Sequence, residues 1–196
     1  MDFSYSEVQQ MLQDSVKKFV SKNYDFDTRS KIIESEAGYS KENWQLFAEL
    51  GWLAVPLSEE DGGLGGSAVD LMVMMEEFGK ANLVEPFLPS AVIGGSLVAE
   101  LATNDQKSQI LEKVVGGNLQ LAYASAETGS RFNVSKVATS AEAKGDDIVI
   151  NGKKIAVLNG PNADQLLVCA RERGGESDAD GISMFLVDPN TPGVTI

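Results

Sequence analysis

The sequence contains no histidine and only one cysteine, Cys169, among its 196 residues. Without histidine the chain cannot form a catalytic triad with an imidazole base, and the common zinc sites lose their usual ligands. A single cysteine also excludes an internal disulfide, which is the normal situation in a reducing compartment. We therefore expect no metal site, and we expect the protein to be cytoplasmic.

Positive charge is also scarce, because 16 Lys and Arg stand against 29 Asp and Glu, for a net charge of −13. Nucleic-acid binders and proteins of anionic membrane surfaces need a basic face, so neither partner is expected. The sequence has no apolar run of about 18 residues, and its start, MDFSYSEVQQ, lacks the basic region of a signal peptide. We expect neither a membrane span nor a leader.

The chain before Leu119 has the pattern of helices. Ser6 with Gln9, and Thr103 with Gln106, have the spacing of capping boxes, and Ser40 and Ser67 are further candidate N-caps. Apolar residues follow these caps at helical spacing. The pattern predicts five or six helices and an all-α domain over residues 1–117.

A glycine-rich run, EEDGGLGG at residues 59–66, allows two interpretations. Such a loop before a helix can bind phosphate through its backbone N–H groups. Here it lacks the GK[ST] motif, and three adjacent carboxylates would repel an anion. A tight turn is the preferred interpretation.

From Leu119 to Val187, short apolar runs alternate with Gly, Asn and Asp turns, a pattern typical of antiparallel β-structure. Asn151-Gly152 has the preferred composition of a two-residue hairpin turn between residues 147–150 and 153–157. Six or more strands are expected. The order of helices then strands predicts an α+β protein with an antiparallel β-barrel or sandwich over residues 118–196.

No residue stands out as a catalyst from these patterns. Paired carboxylates such as Glu76-Glu77 and Asp146-Asp147 have no nucleophile beside them, and exposed acidic faces explain them. Cys169 lies within the apolar run LLVCA and is interpreted as a small buried side chain.

The β-region resembles the middle domain of the acyl-CoA dehydrogenase family. In that family a first strand ends in A-x-x-x-T-E-P and a later segment reads I-N-G-x-K-x-W-I-T-N-G. Here residues 122–128 read AYASAET and residues 150–160 read INGKKIAVLNG, followed by Ala163-Asp164, LLVCAR and GISMFLVD. Glu85-Pro86-Phe87 and the GGLGG loop extend the resemblance over nearly the whole chain. Residues 84–88, VEPFL, and the altered flavin motif also resemble the small-subunit type associated with pimeloyl-CoA dehydrogenase.

The resemblance implies an FAD-dependent acyl-CoA dehydrogenase of fatty-acid β-oxidation. In that family a carboxylate takes the α-proton of an acyl thioester while the β-hydride passes to flavin N5. The base usually lies on a C-terminal helical domain, so the resemblance implies a fragment that is inactive alone and contains no catalytic residue. It also implies an electron-transfer acceptor as partner and a homo- or hetero-oligomer.

The resemblance further assigns positions in two segments to FAD. These are Tyr123, Ser125, Ala126, Ala156, Val157 and Leu158. Ala126, Ala156 and Leu158 replace the Thr, Trp and Thr of the family pattern. The loop with Arg131, Phe132 and Lys136 corresponds to the CoA side, where the two cations could meet phosphates or remain solvated.

These replacements leave two alternatives open. The chain could be a non-catalytic or weakly flavin-binding partner subunit of a hetero-oligomeric acyl-CoA dehydrogenase. It could also serve another flavin reaction on the same scaffold, such as nitroalkane oxidation or an oxygenase half-reaction. Fold resemblance alone does not separate these functions.

Overall fold

A computed structural model describes residues 4–196 and divides the chain into two compact units, Met1–Asn118 and Leu119–Ile196. The first unit is helical, as predicted. Its α-helices are α1 (Glu7–Asn23), α2 (Phe26–Ile33), α3 (Lys41–Glu49), α4 (Ala68–Lys80), α5 (Gly95–Leu101) and α6 (Asn104–Val115). Short 3₁₀ turns cover Trp52–Ala54 and Glu59–Asp61, and a π-helical segment, Phe87–Gly94, leads into α5.

The predicted capping residues begin these helices. Ser6 and Gln9 form a complete capping box on α1, and Thr103 and Gln106 form one on α6. Ser67 caps α4 in the same way with Asp70 as its partner. Each box satisfies two backbone N–H groups that a helix terminus otherwise leaves without a partner.

Aromatic side chains form the core of the helical unit. Phe47 stacks on Phe78 with ring centroids 5.7 Å apart, and it also contacts Trp52 at 4.8 Å. Phe19 meets both Phe47 and Trp52 edge-on. All four rings are 5% exposed or less, so their burial contributes a large share of the stability of this unit.

The glycine-rich run forms a tight turn, which confirms the preferred interpretation. The N–H groups of Leu64, Gly65 and Gly66 donate to carbonyls of residues 54, 57 and 55 at 2.8–2.9 Å. A Cβ on Gly66 would lie 2.5 Å from the Val55 side chain, so the two backbone stretches approach as only glycine allows. These donors are therefore already used within the chain.

The second unit contains a five-stranded sheet. Its strands are β1 (Leu121–Ala124), β2 (Ser140–Lys144), β3 (Asp147–Asn151), β4 (Gln165–Arg171) and β5 (Ile182–Val187). β4 is central, with antiparallel β5 on one side. On its other side it pairs in parallel with β1 over its first half and with β2 at Arg171.

The expected antiparallel sheet is therefore corrected to a mixed sheet, and residues 4–196 hold five strands where six or more were expected. The parallel pairs involve strands far apart in sequence, such as Ala122 opposite Leu166. Alternation of apolar residues shows that a strand is half-buried but not the direction of its neighbour. The predicted combination of a helical and a β-unit is confirmed.

The hairpin predicted at Asn151-Gly152 is wrong. The hairpin joins β2 to β3 instead, and its turn contains Gly145 with φ +67°. Gly152 has another role, because a Cβ there would lie 2.6 Å from Cβ of Thr139. Gly152 permits close contact between two backbone stretches. The Asn-Gly composition alone does not tell whether the glycine is needed for such a contact or for a hairpin turn.

In the part of the chain that the structure describes, no helix is both long enough and apolar enough to cross a membrane.

Candidate functional site

The chain leaving β1 meets the segment that follows β3. The backbone N–H of Ile155 donates to the carbonyl of Ala126 at 2.9 Å. This bond lies between the two stretches that the sequence analysis assigned to a cofactor, which are 30 residues apart at Ala126 and Ala156. The structure therefore brings the two predicted segments together at one place in the β-unit.

A buried carboxylate, Glu127, fixes this junction. Its Oε1 accepts hydrogen bonds from Lys154 Nζ at 2.6 Å, Thr139 Oγ1 at 2.5 Å and Thr139 N–H at 3.1 Å. Its Oε2 accepts from the Ala138 N–H at 2.8 Å. Burial alone would raise the pKa of Glu127, but the Lys154 ammonium and the three other donors outweigh burial and lower it to about 2.

Lys154 and Ile155 together hold three consecutive residues of the first segment. The Lys154 ammonium donates to the Ser125 carbonyl at 3.3 Å as well as to Glu127, and both side chains of the ion pair are only 8% exposed. The next residue, Ile155, holds Ala126. Residues 125, 126 and 127 are thus each bound by residues 154–155. We call this arrangement the 125–127/154–155 junction.

The predicted cofactor positions divide into two groups. Ala126, Ala156 and Leu158 are exposed around the junction, and Ser125 and Val157 are partly exposed. Tyr123 is different, because its hydroxyl accepts a hydrogen bond from Cys169 Sγ on β4 at 3.5 Å. Burial, followed by the contact with Cys169, raises the pKa of Tyr123 above its ordinary value.

Backbone donors remain available at the junction. Within the described residues 4–196, the N–H groups of Ala126, Ala156 and Val157 have no hydrogen-bond acceptor. Ala156 has φ +51°, a left-handed conformation that a non-glycine residue rarely adopts. Such strained positions are often found at ligand sites. The arrangement can donate hydrogen bonds to a planar ligand with carbonyl or ring-nitrogen acceptors.

A mainly apolar groove of about 550 Å³ adjoins the junction. Ala156 and Val157 line it together with Ala124 and the β4 residues Leu166 and Val168. Tyr123, Ser125, Ala126 and Leu158 are not among its lining residues. The groove and the exposed face at Ala126 are therefore distinct parts of the same region.

The predicted CoA-side residues lie on the loop between β1 and β2. Arg131 is exposed with φ +49°, and Phe132 is fully exposed at 101%. Lys136 lies 3.9 Å from Glu176, so its charge is partly compensated within the chain. The loop presents one cation and one aromatic ring to solvent, beside a second cation with a partner.

Arg171 organises this loop, and the sequence analysis did not identify it. Its guanidinium donates to the carbonyls of Ser135 and Val137 in the loop. It also donates to carbonyls at residues 173, 176, 178 and 180 in the turn between β4 and β5. Arg171 is 8% exposed, so a buried cation joins the two loops through backbone oxygens alone.

Lys154 and Thr139 were also missed as functional residues. Their partner Glu127 is the retained acidic residue of the T-E-P pattern, and Lys154 occupies the lysine position of I-N-G-x-K. The opposite charges of Glu127 and Lys154, each at a fixed motif position, were the signal in the sequence that could have predicted this ion pair. In residues 4–196, no group of three or more His, Cys, Asp or Glu side chains could hold a metal ion.

Comparison with known proteins shows the family to which this chain belongs. The sequence model "Acyl-CoA dehydrogenase, N-terminal domain" matches residues 6–118, and "Acyl-CoA dehydrogenase, middle domain" matches residues 122–196. The chain belongs to the acyl-CoA dehydrogenase family. Acyl-CoA dehydrogenase FadE12 of Mycobacterium tuberculosis (strain ATCC 25618 / H37Rv) is 31% identical over 193 residues, covering 97% of this chain and 49% of that protein.

Solved structures agree with this acyl-CoA dehydrogenase assignment. The Tcur3481-Tcur3483 steroid ACAD G363A variant has a TM-score of 0.82 at 29% identity, covering 95% of this chain and 49% of its own. The FAD complex of PigA has a TM-score of 0.84 at 27% identity, covering 98% of this chain and 51% of its own. The chain thus spans about half the length of the relatives it matches.

Proposed function

We propose that this chain supplies the N-terminal helical domain, residues 1–117, and middle-domain residues 118–196 of an FAD-dependent acyl-CoA dehydrogenase. The reaction is the α,β-dehydrogenation of an acyl-CoA thioester. The observation that carries the proposal is the 125–127/154–155 junction, where two family motifs meet and present free backbone donors. The FAD complex of PigA, a structural relative at 27% identity, supports the choice of cofactor.

The donor set at the junction suits the polar edge of a flavin ring. The N–H groups of Ala126, Ala156 and Val157 are the candidate donors, with Tyr123, Ser125 and Leu158 as flanking contacts. When bound, FAD supplies the acceptor for the hydride that leaves the β-carbon of the substrate. The chain's own task is to hold and orient the ring through backbone hydrogen bonds, because no aromatic platform or hydroxyl stands at residues 126, 156 or 158.

The loop at residues 129–136 is proposed to meet the CoA moiety. Arg131 is free of carboxylate partners in the described chain and can bind a phosphate, and Phe132 offers an exposed ring for stacking. Lys136 can contribute once a phosphate competes with Glu176, which is 3.9 Å away. Arg171 holds this loop by donating a hydrogen bond to the Ser135 carbonyl.

No catalytic base is proposed among these residues. Glu127 directly follows the predicted flavin position Ala126, but its pKa of about 2 makes it a weak base, and four hydrogen bonds occupy its oxygens. Glu127 is therefore assigned to structure, and this chain is expected to be inactive alone.

A second candidate function is a partner subunit in a hetero-oligomeric acyl-CoA dehydrogenase. Three replacements favour a partner subunit, because each removes a flavin contact implied by the family resemblance. Ala126, Ala156 and Leu158 stand in place of Thr, Trp and Thr. The name of a structural relative at 29% identity, Tcur3481-Tcur3483 steroid ACAD, also joins two proteins.

We further propose an electron-transfer acceptor as partner and a cytoplasmic role in fatty-acid β-oxidation.

An anaerobic acyl-CoA titration of the protein expressed from its complete gene tests the proposal. Bleaching of the visible flavin band would support a dehydrogenase half-reaction. A flavin band that persists with acyl-CoAs of short, medium and long chains would count against this reaction. A protein that binds no flavin by itself, but copurifies with a flavin-containing partner, would favour the second candidate.

A further inference from the structure

The Lys154 side chain is buried at the point where the two predicted flavin segments meet. Its ammonium contacts Glu127 Oε1 at 2.6 Å and the Ser125 carbonyl at 3.3 Å. Only 8% of its side chain is exposed, and Lys154 is also one of the residues that line the adjoining groove. Its ammonium is occupied by these two acceptors, so it holds the two residues that carry them.

The residue between those two contacts is Ala126, whose N–H is one of the free donors. Lys154 binds the residues on either side of Ala126, and Ile155 binds the Ala126 carbonyl at 2.9 Å. Two successive peptide carbonyls, at Ser125 and Ala126, and the side chain of Glu127 are thus all held. The direction of the Ala126 N–H depends on these contacts.

The same lysine fixes the second segment, because Ala156 and Val157 follow it by two and three residues. Glu127 is itself bound by Thr139 and Ala138, so the ion pair connects both segments to the residues just before β2. Ala156, with its strained φ of +51°, lies two residues after Lys154. Both sets of free donors therefore depend on one ion pair.

We propose that Lys154 is a positioning residue for the flavin site, acting through its ion pair with Glu127. It sets the relative position of the Ala126 donor and the Ala156 and Val157 donors. This inference rests on the proposed function, because it presumes that these donors bind FAD. It assigns to Lys154 no contact with flavin or substrate.

The test compares FAD affinity and the visible circular dichroism of bound flavin in variants of the protein expressed from its complete gene. Lys154→Met should weaken FAD binding about tenfold or more, because misalignment affects two or more hydrogen bonds. It should also change the visible dichroism of the remaining bound flavin. Lys154→Arg, which keeps the charge, should recover part of both. Lys144→Met, at an exposed lysine on β2, is the matched control and should leave both unchanged.

A double variant separates positioning from simple stability. Glu127→Gln with Lys154→Met removes both charges, so the thermal stability lost in Lys154→Met should largely return. FAD affinity and the dichroism should stay perturbed, because Ser125 and residue 127 are no longer held by an ammonium. Recovery of affinity in parallel with stability would overturn the inference.

The proposed function and this inference fail in different ways. If the unmodified protein binds no FAD, the proposed function is wrong and the inference falls with it. If the unmodified protein binds FAD and Lys154→Met binds it equally well with the same dichroism, only the inference is wrong.

Discussion

Replacing Glu127 with glutamine should destabilise the β-unit at neutral pH, and the loss should become smaller as the pH falls below 4.5. The carboxylate has a pKa of about 2 in the folded chain, against an ordinary value of 4.5. Each unit of this pKa difference is worth about 1.4 kcal/mol, so the charged form stabilises the fold by about 3 kcal/mol at pH 7. The side chain is 8% exposed, and solvent screening reduces this figure little.

The pH dependence has a definite sign. Because the folded-state pKa is lowered, the stabilisation is complete above pH 4.5 and is lost as the pH falls toward 2. The difference between the native protein and Glu127→Gln should therefore shrink from about 3 kcal/mol at pH 7 to about 2 kcal/mol at pH 3.5. Glutamine retains the shape of the side chain, so the comparison isolates the charge.

Urea unfolding with two probes measures this difference. Both tryptophans, Trp44 and Trp52, lie in the helical unit, so their fluorescence reports that unit, and far-UV circular dichroism reports both units. Glu142→Gln, at an exposed position on β2, is the control and should change the free energy of unfolding by less than about 0.5 kcal/mol. A Glu127→Gln effect that is the same at both pH values would refute the reasoning.

Three further predictions concern packing and backbone geometry. Phe47→Ala should cost about 3–5 kcal/mol in urea unfolding, whereas Phe26→Ala, at a ring that is 79% exposed, should cost less than about 0.5 kcal/mol; equal losses would contradict the described core. Gly63→Ala should lower the melting temperature because its Cβ would meet the Leu57 backbone, whereas Gly79→Ala, in α4 with open space around it, should stabilise by about 0.5–1 kcal/mol. Arg171→Met should speed limited proteolysis in the loops at residues 129–137 and 173–181, since six backbone carbonyls lose the hydrogen bond from its guanidinium; unchanged cleavage would contradict the role given to this arginine.

Helix starts were predictable from the sequence because the physics that sets them is local. A capping residue and its partner lie three positions apart, so Ser6 with Gln9 and Thr103 with Gln106 are visible as pairs in the sequence. The same locality explains the correct expectation of a turn at the glycine-rich run. No distant residue is needed to satisfy these backbone groups.

Strand pairing was less predictable because its partners are distant. The parallel pair of β1 and β4 matches Ala122 with Leu166, and nothing in either stretch specifies that partner or its direction. Gly152 shows a related problem. Its position after Asn151 is typical of a hairpin turn. In the structure, however, glycine is needed there because Thr139 lies too close for any side chain.

The candidate site was predicted in part through family resemblance. The positions around Ala126 and Ala156 do lie together, but their role toward FAD remains a prediction. The ion pair that joins them connects Glu127 to Lys154 across 27 residues, and Thr139 completes it from a third stretch. Composition and periodicity do not reveal such a network, because each of these polar residues alone is typical of an exposed loop.

The visible absorption spectrum of the protein expressed from its complete gene, purified with excess FAD present and then freed of unbound cofactor, tests the central claim most directly. The account predicts retained flavin bands at close to one flavin per chain, with a shape that differs from free FAD. A colourless protein that also gives no signal in an FAD titration would contradict it. The 125–127/154–155 junction would then be a structural feature of the β-unit alone.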